Sequence, residues 1–370
     1  MNKVKRIVLS GGGTGGHIYP ALALYRVLKE KADVEVLYIG TQRGLESQIV
    51  PREGMPFKAV EITGLKRSIS IDNLKLIFKL FNSTRKAKQM IRDFQPDIVL
   101  GTGGYVCGPV LLAASMLKVP TIIHEQNSVA GITNKFLARF VNKIAVCFEE
   151  AGHQFGKNQH KVILTGNPRG QEVISTPPMP QCLSEQFGLK DDQPTVLIFG
   201  GSRGAPAINQ AGIESLDKWL TANYQVIIAT GQSHFQELNE ETVEKINESS
   251  NVRIVPYIDD MPSVFQAIDL VVCRAGATTL TELTALGLPS ILIPSPYVTD
   301  NHQEHNALSL VKKKAAVMIK ESELNGQSLF QKVNQLMLAS KELKAMSQAA
   351  KGMGITDASD RIIQMMNELV

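Results

Sequence analysis

The chain twice repeats the order β-strand, glycine-rich loop, α-helix, and this repetition constrains its fold more than any other feature. The first copy runs from "RIVLS" (6–10) through "GGGTGG" (11–16) into "HIYPALALYRVLKEK" (17–31), which has apolar residues at helical spacing. The second copy begins with "PTVLIFGGSRGAPAIN" at residue 194. A strand, a crossover helix and a second strand form a βαβ unit, which predicts a parallel sheet. We therefore expect an α/β protein with two Rossmann-like, doubly wound domains that face a cleft.

Further strands are predicted in both halves from short apolar runs. Between the halves, "TGNPRGQEVISTPPMPQ" (165–181) is rich in Pro, Gly and Ser and lacks periodicity, which predicts a linker. We expect one domain from residues 1–165 with a C-terminal helix at 350–370, and a second from 166–349. The additional predicted strands are "VEVLYIG" (34–40), "DIVLG" (97–101), "PTIIH" (120–124), "KIAVC" (143–147), "YQVIIATG" (224–231), "VRIVPY" (252–257), "LVVCRAG" (270–276) and "PSILIPSP" (289–296).

The charged residues are distributed unevenly along the chain. Residues 1–165 hold 23 Lys and Arg against 12 Asp and Glu, a net +11, whereas residues 166–370 hold 16 against 23, a net −7. A basic half favours phosphates or an anionic membrane surface, and an acidic half argues against a protein that coats nucleic acid. The four cysteines are far apart, which predicts neither a zinc ribbon nor a disulfide scaffold. No apolar run approaches the ~18 residues of a membrane span, so we expect a soluble protein of a reducing compartment.

The first glycine loop satisfies the dinucleotide spacing G-x-G-x-x-G through Gly11, Gly13 and Gly16. A nicotinamide site would also need an acidic residue at the end of the second strand, but that strand ends in "YIGT" (38–41). Two interpretations remain: glycines that serve only a tight turn, and a loop whose amides approach an anion at a helix N-terminus. Two further glycine-rich loops, "GTGGYVCGP" (101–109) and "GGSRGA" (200–205), favour phosphorylated ligands. Neither has the Gly-Lys-Ser/Thr ending of a P-loop, which argues against ATP hydrolysis.

Two titratable residues lie at predicted helix starts. A helix N-terminus disfavours the imidazolium, so His17 would be neutral, as a general base must be. The alternative is a capping or packing histidine. The pattern Thr279-x-x-Glu282 is a capping box, with the helix beginning near Thr278 or Thr279. Glu282 would instead bind a ribose diol if this helix start meets a phosphate.

No metal site is predicted. His302 and His305 are three residues apart, but no third ligand is placed nearby. The stretch "HEQNS" (124–128) has Ser128 where a zincin helix has its second histidine. An Asp-x-Asp pair, which would hold a divalent ion against a nucleotide pyrophosphate, is absent from the sequence.

A set of motifs resembles the MurG family, bacterial transferases that add N-acetylglucosamine to lipid I and so form lipid II. The resemblance implies the two-domain architecture called GT-B, a hexosyltransferase of peptidoglycan synthesis, UDP-N-acetylglucosamine and lipid I as substrates, and no cofactor. It also implies association with other cell-wall synthesis proteins, and no nucleic-acid partner. The motifs occur in the family's order from residue 11 to 307: "GGGTGGHIYPALAL", "GTGGYVCGP", "HEQNSVAGITNKFL", "GNPR", "GGSRGA", "YIDDM", "CRAGATTLTE" and "DNHQEHNA".

The resemblance further implies which residues bind the substrates. The family often has Gln-Gln where this chain has His302-Gln303, and its arginine after "GNP" can lie one position beyond Arg169. The implied donor site in the C-terminal domain comprises Ser202 at the phosphates, the Ile258 backbone at uracil, Ala277, Thr278 and Thr279 at the diphosphate, Glu282 at the ribose, and His302 and Gln303 at the sugar. Arg169, after "GNP", would also contact the donor. The N-terminal domain would add Thr14, Gly15, Gly16 and Asn127 on the donor, and Gly103, Gly104, Tyr105 and His124 around the acceptor.

The expected chemistry is inverting transfer. A base must take the proton from the acceptor sugar hydroxyl while this oxygen attacks the anomeric carbon opposite UDP. We expect His17 to be that base, with Glu125 as a second participant. Because UDP is a good leaving group, a helix N-terminus and loop amides would stabilise its charge without a metal.

One basic, apolar segment is a candidate for membrane contact. The stretch "GLKRSISIDNLKLIFKLFNSTRKAKQMIR" (64–92) holds eight basic residues and one acid, Asp72. Its apolar residues would insert among anionic lipids while Lys and Arg bind their headgroups. The alternative is a helix that packs on the sheet and exposes its basic side to solvent. The proposed lipid-contacting residues share one helical face: Leu74, Ile77, Phe78 and Phe81.

The leading hypothesis is a peripheral enzyme at the cytoplasmic face of the cell membrane. It would transfer N-acetylglucosamine to the 4-hydroxyl of the N-acetylmuramic acid in lipid I. One rival is another GT-B enzyme of UDP-sugars, such as an epimerase. The other is a non-catalytic nucleotide-sugar-binding subunit that recruits a partner.

Overall fold

The protein divides into two compact units. The computed structural model describes residues 3–31, 33–62, 71–201 and 204–370, with the side chains of 71–77 outside the described part. Unit 1 comprises the chain up to Glu172 and again from Ile355 onward, and unit 2 comprises Val173–Gly354. The division falls inside a helix, Pro168–Ser175. The segment 165–181, which we expected to be an irregular linker, is therefore partly helical, because local pattern does not show that this helix has tertiary partners.

Unit 1 is a parallel sheet with helices around it. Among the described residues the sheet has seven strands in the order β3-β2-β1-β4-β5-β6-β7, all paired in parallel. The strands are β1 Arg6–Ser10, β2 Glu35–Thr41, β3 Phe57–Val60, β4 Ile98–Gly101, β5 Thr121–Glu125, β6 Lys143–Val146 and β7 Val162–Leu164. The helices are α1 Gly15–Lys31, α2 Glu46–Arg52, α3 Ile71–Phe94, α4 Cys107–Met116, α5 Ile132–Leu137, α6 Glu149–Gly152 and α7 Pro168–Ser175, with a 3₁₀ segment at His153–Lys161.

Unit 2 repeats this plan, as the sequence predicts. The described strands form a six-stranded sheet in the order β10-β9-β8-β11-β12-β13, again parallel. The strands are β8 Thr195–Phe199, β9 Gln225–Ala229, β10 Val252–Val255, β11 Leu270–Cys273, β12 Ser290–Leu292 and β13 Ala316–Met318. The helices are α8 Cys182–Phe187, α9 Pro206–Glu214, α10 Leu216–Leu220, α11 Gln232–Phe235, α12 Glu240–Glu248, α13 Met261–Gln266, α14 Ala277–Leu286, α15 His302–Lys312, α16 Gly326–Leu338 and α17 Ser340–Met353, with 3₁₀ turns at Thr299–Asn301 and Glu321–Glu323.

Apolar residues on both faces of each sheet form the cores. The central strands are continuous apolar runs because helices cover both of their faces; β8, for example, is buried along its whole length. The last helix, α18 (Ala358–Leu369), returns to unit 1. Its Ile362, Met365 and Met366 join the core beside α1 and β1. The strand order of each sheet is that of doubly wound folds, in which ligands bind at the carboxyl ends of the strands.

Candidate active site

The glycine loop of unit 1 lies at the carboxyl ends of β1 and β4. The Gly12 amide donates to the Gly103 carbonyl (3.2 Å), so the loops after these two strands are joined. The Tyr38 hydroxyl donates to the Gly11 carbonyl (2.8 Å). Thr102 Oγ1 donates to the His17 carbonyl (2.6 Å). Several backbone groups of this loop therefore bind other parts of unit 1.

Four glycines of these two loops make room for protein atoms. A Cβ at Gly12 would lie 2.4 Å from Glu46 Oε1, and one at Gly11 would lie 2.2 Å from Thr102 Oγ1. A Cβ at Gly103 would lie 2.6 Å from the His17 ring, and one at Gly104 would lie 2.3 Å from the Gly12 carbonyl oxygen. Gly103 and Gly104 also have positive φ values, +111° and +82°, which favour glycine. We expected this bare backbone to admit a phosphate; at these four positions it admits neighbouring groups of unit 1.

Glu46 is a buried carboxylate beneath the loop. It is the first residue of α2 and is 0 % exposed. Its Oε1 accepts from the Thr41 amide (2.9 Å) and the Thr41 hydroxyl (2.6 Å), and its Oε2 accepts from the Gly13 amide (3.1 Å). The sequence analysis missed this residue. The sequence does show an acidic residue a few positions after β2, close to where dinucleotide-binding folds have their ribose-binding acid. The Glu46 side chain, however, lies beneath the glycine loop.

His17 lies in the first turn of α1 with a defined tautomer. Its Nδ1 is 2.9 Å from the Gly12 carbonyl oxygen and 3.4 Å from Thr14 Oγ1. Because a carbonyl oxygen only accepts, the Nδ1 must carry the proton. In the neutral ring the lone pair then lies on Nε2. The predicted base thus has a protonation pattern that leaves Nε2 as the basic atom.

The start of α1 provides further candidate ligand groups. Gly15 and Gly16 are its first residues and Thr14, which precedes them, is exposed. First-turn amides have no acceptor inside a helix, and α1 has no acidic residue in that turn. Tyr105, 38 % exposed, lies across the loop, 3.7 Å from where a Cβ of Gly13 would be. Of the predicted donor and acceptor residues, Thr14, Gly15, Gly16, His17 and Tyr105 therefore lie together around this loop.

His124, which we expect near the acceptor, is buried. It is 1 % exposed and lies at the end of β5. The Gly166 carbonyl accepts from Nε2 (2.9 Å), and Nδ1 accepts from the Gln126 amide (2.9 Å). Burial lowers the pKa of His124. Both ring nitrogens thus form hydrogen bonds inside unit 1, and the Gln126 side-chain amide also donates to the Thr102 carbonyl (2.6 Å).

Glu125 is also buried, at 2 % exposure. Its Oε1 accepts from the Asn127 amide (3.0 Å) and side chain (3.3 Å). Its Oε2 accepts from the Gly131 amide (2.9 Å) and the Asn134 side chain (2.8 Å). Both oxygens of this carboxylate, which we expect to be a second participant in catalysis, thus bind donors of the loop that carries Asn127 and of the segment around Gly131.

Arg169 belongs to an ionic network of unit 1. It pairs with Glu172 in the next turn of α7, and Glu172 also pairs with Arg26 of α1. The guanidinium of Arg169 lies over the Tyr19 ring, 5.8 Å from its centroid. Tyr19 is on the first turns of α1. The Arg169 side chain, which we expect to contact the donor, is thus held against α1.

In unit 2, the loop between β11 and α14 is open where the loop of unit 1 is filled. Apart from the adjacent residues of the chain, no atom of the described part of the protein lies within 4 Å of where a Cβ of Gly276 would be. Helix α14 begins at Ala277 with Gly276 as N-cap and without a side-chain cap. The predicted capping box at Thr279 and Glu282 is therefore wrong, because the helix begins earlier and places Glu282 beyond the first turn.

Three polar groups surround this helix start. Thr278 Oγ1 is buried without a hydrogen-bond partner among the described residues. Glu282 is 7 % exposed; burial, and then the charge of Glu282, raise the pKa of the Cys273 thiol at the end of β11. The Arg274 guanidinium donates to the Ile293 carbonyl (3.1 Å) and pairs with Glu321, which fixes the loop.

Helix α15 presents the predicted sugar-binding residues beside this loop. Gln303 Oε1 accepts from the Ser295 amide (2.9 Å), which leaves its NH₂ group pointing away from that bond. The Thr299 carbonyl accepts from His302 Nδ1 (2.8 Å). The Asn306 side chain donates to the Ala275 carbonyl (3.2 Å) and so ties α15 to the loop. Ile258 is buried three residues before α13, which packs beside α14, and Ser202 lies outside the described residues.

The candidate membrane helix is partly described. Phe78 and Phe81 of α3 are 72 % and 68 % exposed, whereas the side chains of Leu74 and Ile77 lie outside the described part. Lys79, Arg85 and Lys86 are exposed beside them. None of the described helices is long and apolar enough to cross a membrane. Within the same described ranges, no cluster of three or more His, Cys, Asp or Glu side chains is placed to hold a metal ion.

Two family models match the two halves of the chain. Residues 7–146 match the glycosyltransferase family 28 N-terminal domain, and residues 195–362 match the glycosyltransferase family 28 C-terminal domain. The chain is 54 % identical over 368 residues to a protein of Latilactobacillus sakei subsp. sakei, with 98 % of this chain and 100 % of that protein covered. That relative is named UDP-N-acetylglucosamine--N-acetylmuramyl-(pentapeptide) pyrophosphoryl-undecaprenol N-acetylglucosamine transferase.

Solved structures share the fold. The crystal structure of Acinetobacter baumannii MurG is 27 % identical with a TM-score of 0.77, and the match covers 98 % of this chain and 99 % of that one. A UDP-GlcNAc 2-epimerase from Neisseria meningitidis, bound to UDP-GlcNAc, has a TM-score of 0.67 at 16 % identity and covers 98 % and 100 % of the two chains; this likeness shows the fold alone. The two-sheet architecture is thus the GT-B type that the sequence predicted. By both family models and by its full-length relatives, the chain belongs to glycosyltransferase family 28 and, within it, to the MurG family.

Proposed function

We propose that this protein transfers N-acetylglucosamine from UDP-N-acetylglucosamine to the 4-hydroxyl of N-acetylmuramic acid in lipid I, forming lipid II for peptidoglycan synthesis. The observation that carries the proposal is the 54 % identity, over nearly the whole chain, to a transferase named for this donor and this acceptor. The residue geometry of the two units supports the same chemistry. Unit 2 would bind the donor, and unit 1 would bind the acceptor and supply the base.

His17 is the proposed base. Its Nδ1 proton is held by the Gly12 carbonyl (2.9 Å), so Nε2 takes the proton of the acceptor hydroxyl. Proton transfer to a positioned histidine contributes about 10²–10⁴-fold to a rate. Thr14, Tyr105 and the first amides of α1 would orient the sugar at this imidazole.

The start of α14 is the proposed diphosphate site. Ala277, Thr278 and Thr279 occupy its first turn, where free amides and the helix dipole stabilise negative charge on the leaving UDP. The unpartnered Thr278 hydroxyl would donate to a phosphate oxygen. Glu282 would bind the ribose hydroxyls, and the Gln303 amide, oriented by Ser295, would donate to the sugar. The Ile258 backbone at uracil and Ser202 at the phosphates remain parts of this proposal.

Residues of unit 1 would complete the donor and acceptor sites. Asn127, which Glu125 orients, would meet the donor sugar, and Arg169 would meet the donor from its place over Tyr19. Gly103 and Gly104 would bring the backbone after β4 close to the acceptor. We assign His124 a positioning role through Gln126, because its ring is buried.

We propose that the protein is peripheral and contacts the cytoplasmic face of the cell membrane through α3. The exposure of Phe78 and Phe81 next to Lys79, Arg85 and Lys86 supports this contact, because apolar insertion and basic residues together bind anionic lipid. A second exposed strip of unit 1 likewise combines apolar and basic side chains. It comprises Ile132, Phe136 and Phe140 with Lys135 and Arg139, and no acidic residue occurs between Gln126 and Phe148.

The deciding experiment measures UDP release from UDP-N-acetylglucosamine with and without a soluble lipid I analogue. We expect release that depends on the acceptor, together with a product that is larger by one N-acetylglucosamine. Conversion of the donor alone would favour an epimerase, the activity of proteins that share this fold. Donor binding without either reaction would favour a nucleotide-sugar-binding subunit and would overturn the proposal.

A further inference from the structure

The Gly12–Gly13 peptide group lies between a carboxylate and the His17 imidazole. Its N–H, from Gly13, donates to Glu46 Oε2 (3.1 Å), and its C=O, from Gly12, accepts from His17 Nδ1 (2.9 Å). One rigid peptide plane thus joins the two side chains. The order of hydrogen bonds is carboxylate, peptide N–H, peptide C=O, imidazole N–H.

From this chain of hydrogen bonds we propose that Glu46 is a positioning residue for catalysis, which fixes the His17 ring and makes its Nε2 more basic through the Gly12–Gly13 peptide group. The inference rests on the proposed role of His17 as the base. Glu46 does not touch the substrate; it acts through the peptide. Hydrogen bonds in a chain polarise one another, so a carboxylate on the N–H makes the C=O a stronger acceptor for the Nδ1 proton. A triad aspartate acts on its histidine in the same sense, but by a direct bond.

The surroundings of Glu46 support a charged, immobile carboxylate. Three donors, two from Thr41 and one from Gly13, face its two oxygens, which is the pattern that an ionised carboxylate satisfies. Close packing also holds the side chain. A Cβ at Gly12, Gly40 or Gly44 would lie 2.4, 2.6 or 2.2 Å from a Glu46 atom, so glycines of two loops and of strand β2 make room for this one residue.

The other titratable groups around the loop do not take over this role. Burial raises the pKa of Tyr38, on β2, well above its usual value, and the charge of Glu46 adds to the shift. Burial likewise raises the pKa of Cys107, on α4, to about 12. Both groups therefore stay neutral near pH 7. Tyr105, in the loop before α4, faces Gly13 from the outer side and is partly exposed.

The test is the titration of the His17 imidazole by NMR in the free protein, in wild type and in Glu46→Gln. Gln has a similar shape and keeps one acceptor oxygen, which can still bind the Gly13 amide, while its NH₂ group replaces the oxygen that faces Thr41 and the charge is lost. We expect the His17 midpoint to fall by about half a unit or more, because an anion that favours the imidazolium is removed. Glu61→Gln removes the same charge from an exposed position of unit 1 and should leave the midpoint unchanged.

Kinetics give a second readout. For Glu46→Gln we expect kcat to fall about 10-fold or more, as for other groups that orient a functional histidine, with little change in the KM of the donor. The acidic limb of the kcat–pH profile should move in the same direction as the NMR midpoint. In a His17→Ala background, Glu46→Gln should cause no further loss of kcat, because both act through one group.

A folded Glu46→Gln protein with a wild-type His17 midpoint would overturn the proposal, whether or not the enzyme transfers sugar. Failure of wild type to release UDP in the presence of acceptor would instead overturn the proposed function and leave this titration to be judged separately. If Glu46→Gln does not fold, the wild-type protein still provides the test. Its Gly13 amide shift should follow the His17 titration, and an amide shift that stays constant through that titration would refute the coupling.

Discussion

The loops that follow β1 in unit 1 and β11 in unit 2 both contain glycine and both lead into a helix, but their construction is opposite. Each is a short run of small residues between a buried strand and a helix. In unit 1, protein atoms of Glu46, Thr102 and His17 occupy the space beside the glycines. In unit 2, the described residues leave the space beside Gly276 open and give the Thr278 hydroxyl no hydrogen-bond partner. A glycine after a strand therefore indicates close approach of some group, and only the surrounding fold decides whether that group belongs to the protein or to a ligand.

The two loops are suited to different steps of the proposed reaction. The filled loop holds a titratable side chain in one orientation, which a proton-transfer step requires. The open loop exposes helix amides, which an anionic leaving group requires. Substitutions in unit 1 should thus affect turnover, and substitutions at α14 should affect donor affinity.

The largest expected effect follows from His17→Ala. We expect kcat to fall about 10²–10⁴-fold, the usual contribution of a general base, while the Kd for UDP-N-acetylglucosamine stays near its wild-type value. Single-turnover rates and donor titrations measure the two quantities separately. His160→Ala, at a histidine elsewhere in unit 1 whose Nδ1 donates to the Lys157 carbonyl, is the matched control. Loss of donor binding with normal turnover of the bound complex would contradict the assignment of the base.

Replacing one glycine in each loop with alanine tests whether the loop of unit 1 is more closely packed than that of unit 2. Gly12→Ala places a methyl group 2.4 Å from Glu46 Oε1, and we expect it to destabilise unit 1 by about 1–3 kcal/mol, as overpacking does. Gly276→Ala meets no atom within 4 Å, and its φ of −70° suits alanine. We expect no loss of stability there, but about tenfold weaker donor binding because the methyl group hinders a charge-assisted hydrogen bond to α14.

The single tryptophan makes these two variants easy to compare. Trp219 is buried in unit 2, so its fluorescence reports the unfolding of that unit, whereas circular dichroism reports both. Gly12→Ala should shift the circular dichroism transition without shifting the fluorescence transition. Equal stability of the two variants would show that the loop of unit 1 is no more closely packed than that of unit 2.

The outer surfaces of the units give a smaller effect. Replacement of Phe78 and Phe81 with Ser should weaken binding to vesicles of anionic phospholipid at least tenfold, because insertion of one such ring contributes about 1.5–3 kcal/mol. Activity on a short-chain, soluble acceptor should be unchanged. Leu338→Ser, at an apolar residue of unit 2 that is 67 % exposed, is the control in vesicle sedimentation. Unchanged sedimentation of the double variant would return α3 to the role of an ordinary packing helix.

The smallest expected effect is that of Thr278→Val. Valine has the shape of threonine without its hydroxyl, and the hydroxyl has no partner in the described structure, so the free energy of unfolding should not decrease. Donor affinity should fall about 3–10-fold through loss of one hydrogen bond. Thr284→Val, in the same helix, removes a bond to the Leu280 carbonyl (2.9 Å) and should show the reverse: lower stability and normal donor affinity. Identical behaviour of the two threonine variants would mean that the Thr278 hydroxyl has no ligand.

Strand prediction succeeded at the centres of the sheets and at one edge strand, β10, and failed at the other three edges. All predicted strands are present, some shifted by one or a few residues, whereas β3, β7 and β13 were missed. These three lie at sheet edges. The strands β7 and β13 have three residues each and β3 has four, with residues that are only partly buried. An edge strand lacks the continuous apolar run of a strand that is covered on both faces, so its pairing with a neighbour defines it.

The candidate site, too, was predicted from the sequence only in part. The glycine loops, His17 and the helix start near Thr278 were found in the sequence because strand, loop and helix are consecutive there. The role of Glu46 was not, because its partner Gly13 lies 33 residues earlier in the chain, although Thr41, Gly40 and Gly44 are close to Glu46 in sequence. The sequence did not indicate the burial of the His124 ring: its partner Gln126 belongs to the motif "HEQNS", but its other partner, Gly166, lies 42 residues further along the chain.

By itself the sequence determined the doubly wound plan, its duplication, the family and the order of the ligand loops, because these depend on local periodicity and on motifs of consecutive residues. Only the tertiary structure decided which glycines face protein atoms, which tautomer His17 adopts and which carboxylate lies behind it. These properties depend on hydrogen bonds and packing between residues that are distant in the chain, and local pattern carries no record of such contacts.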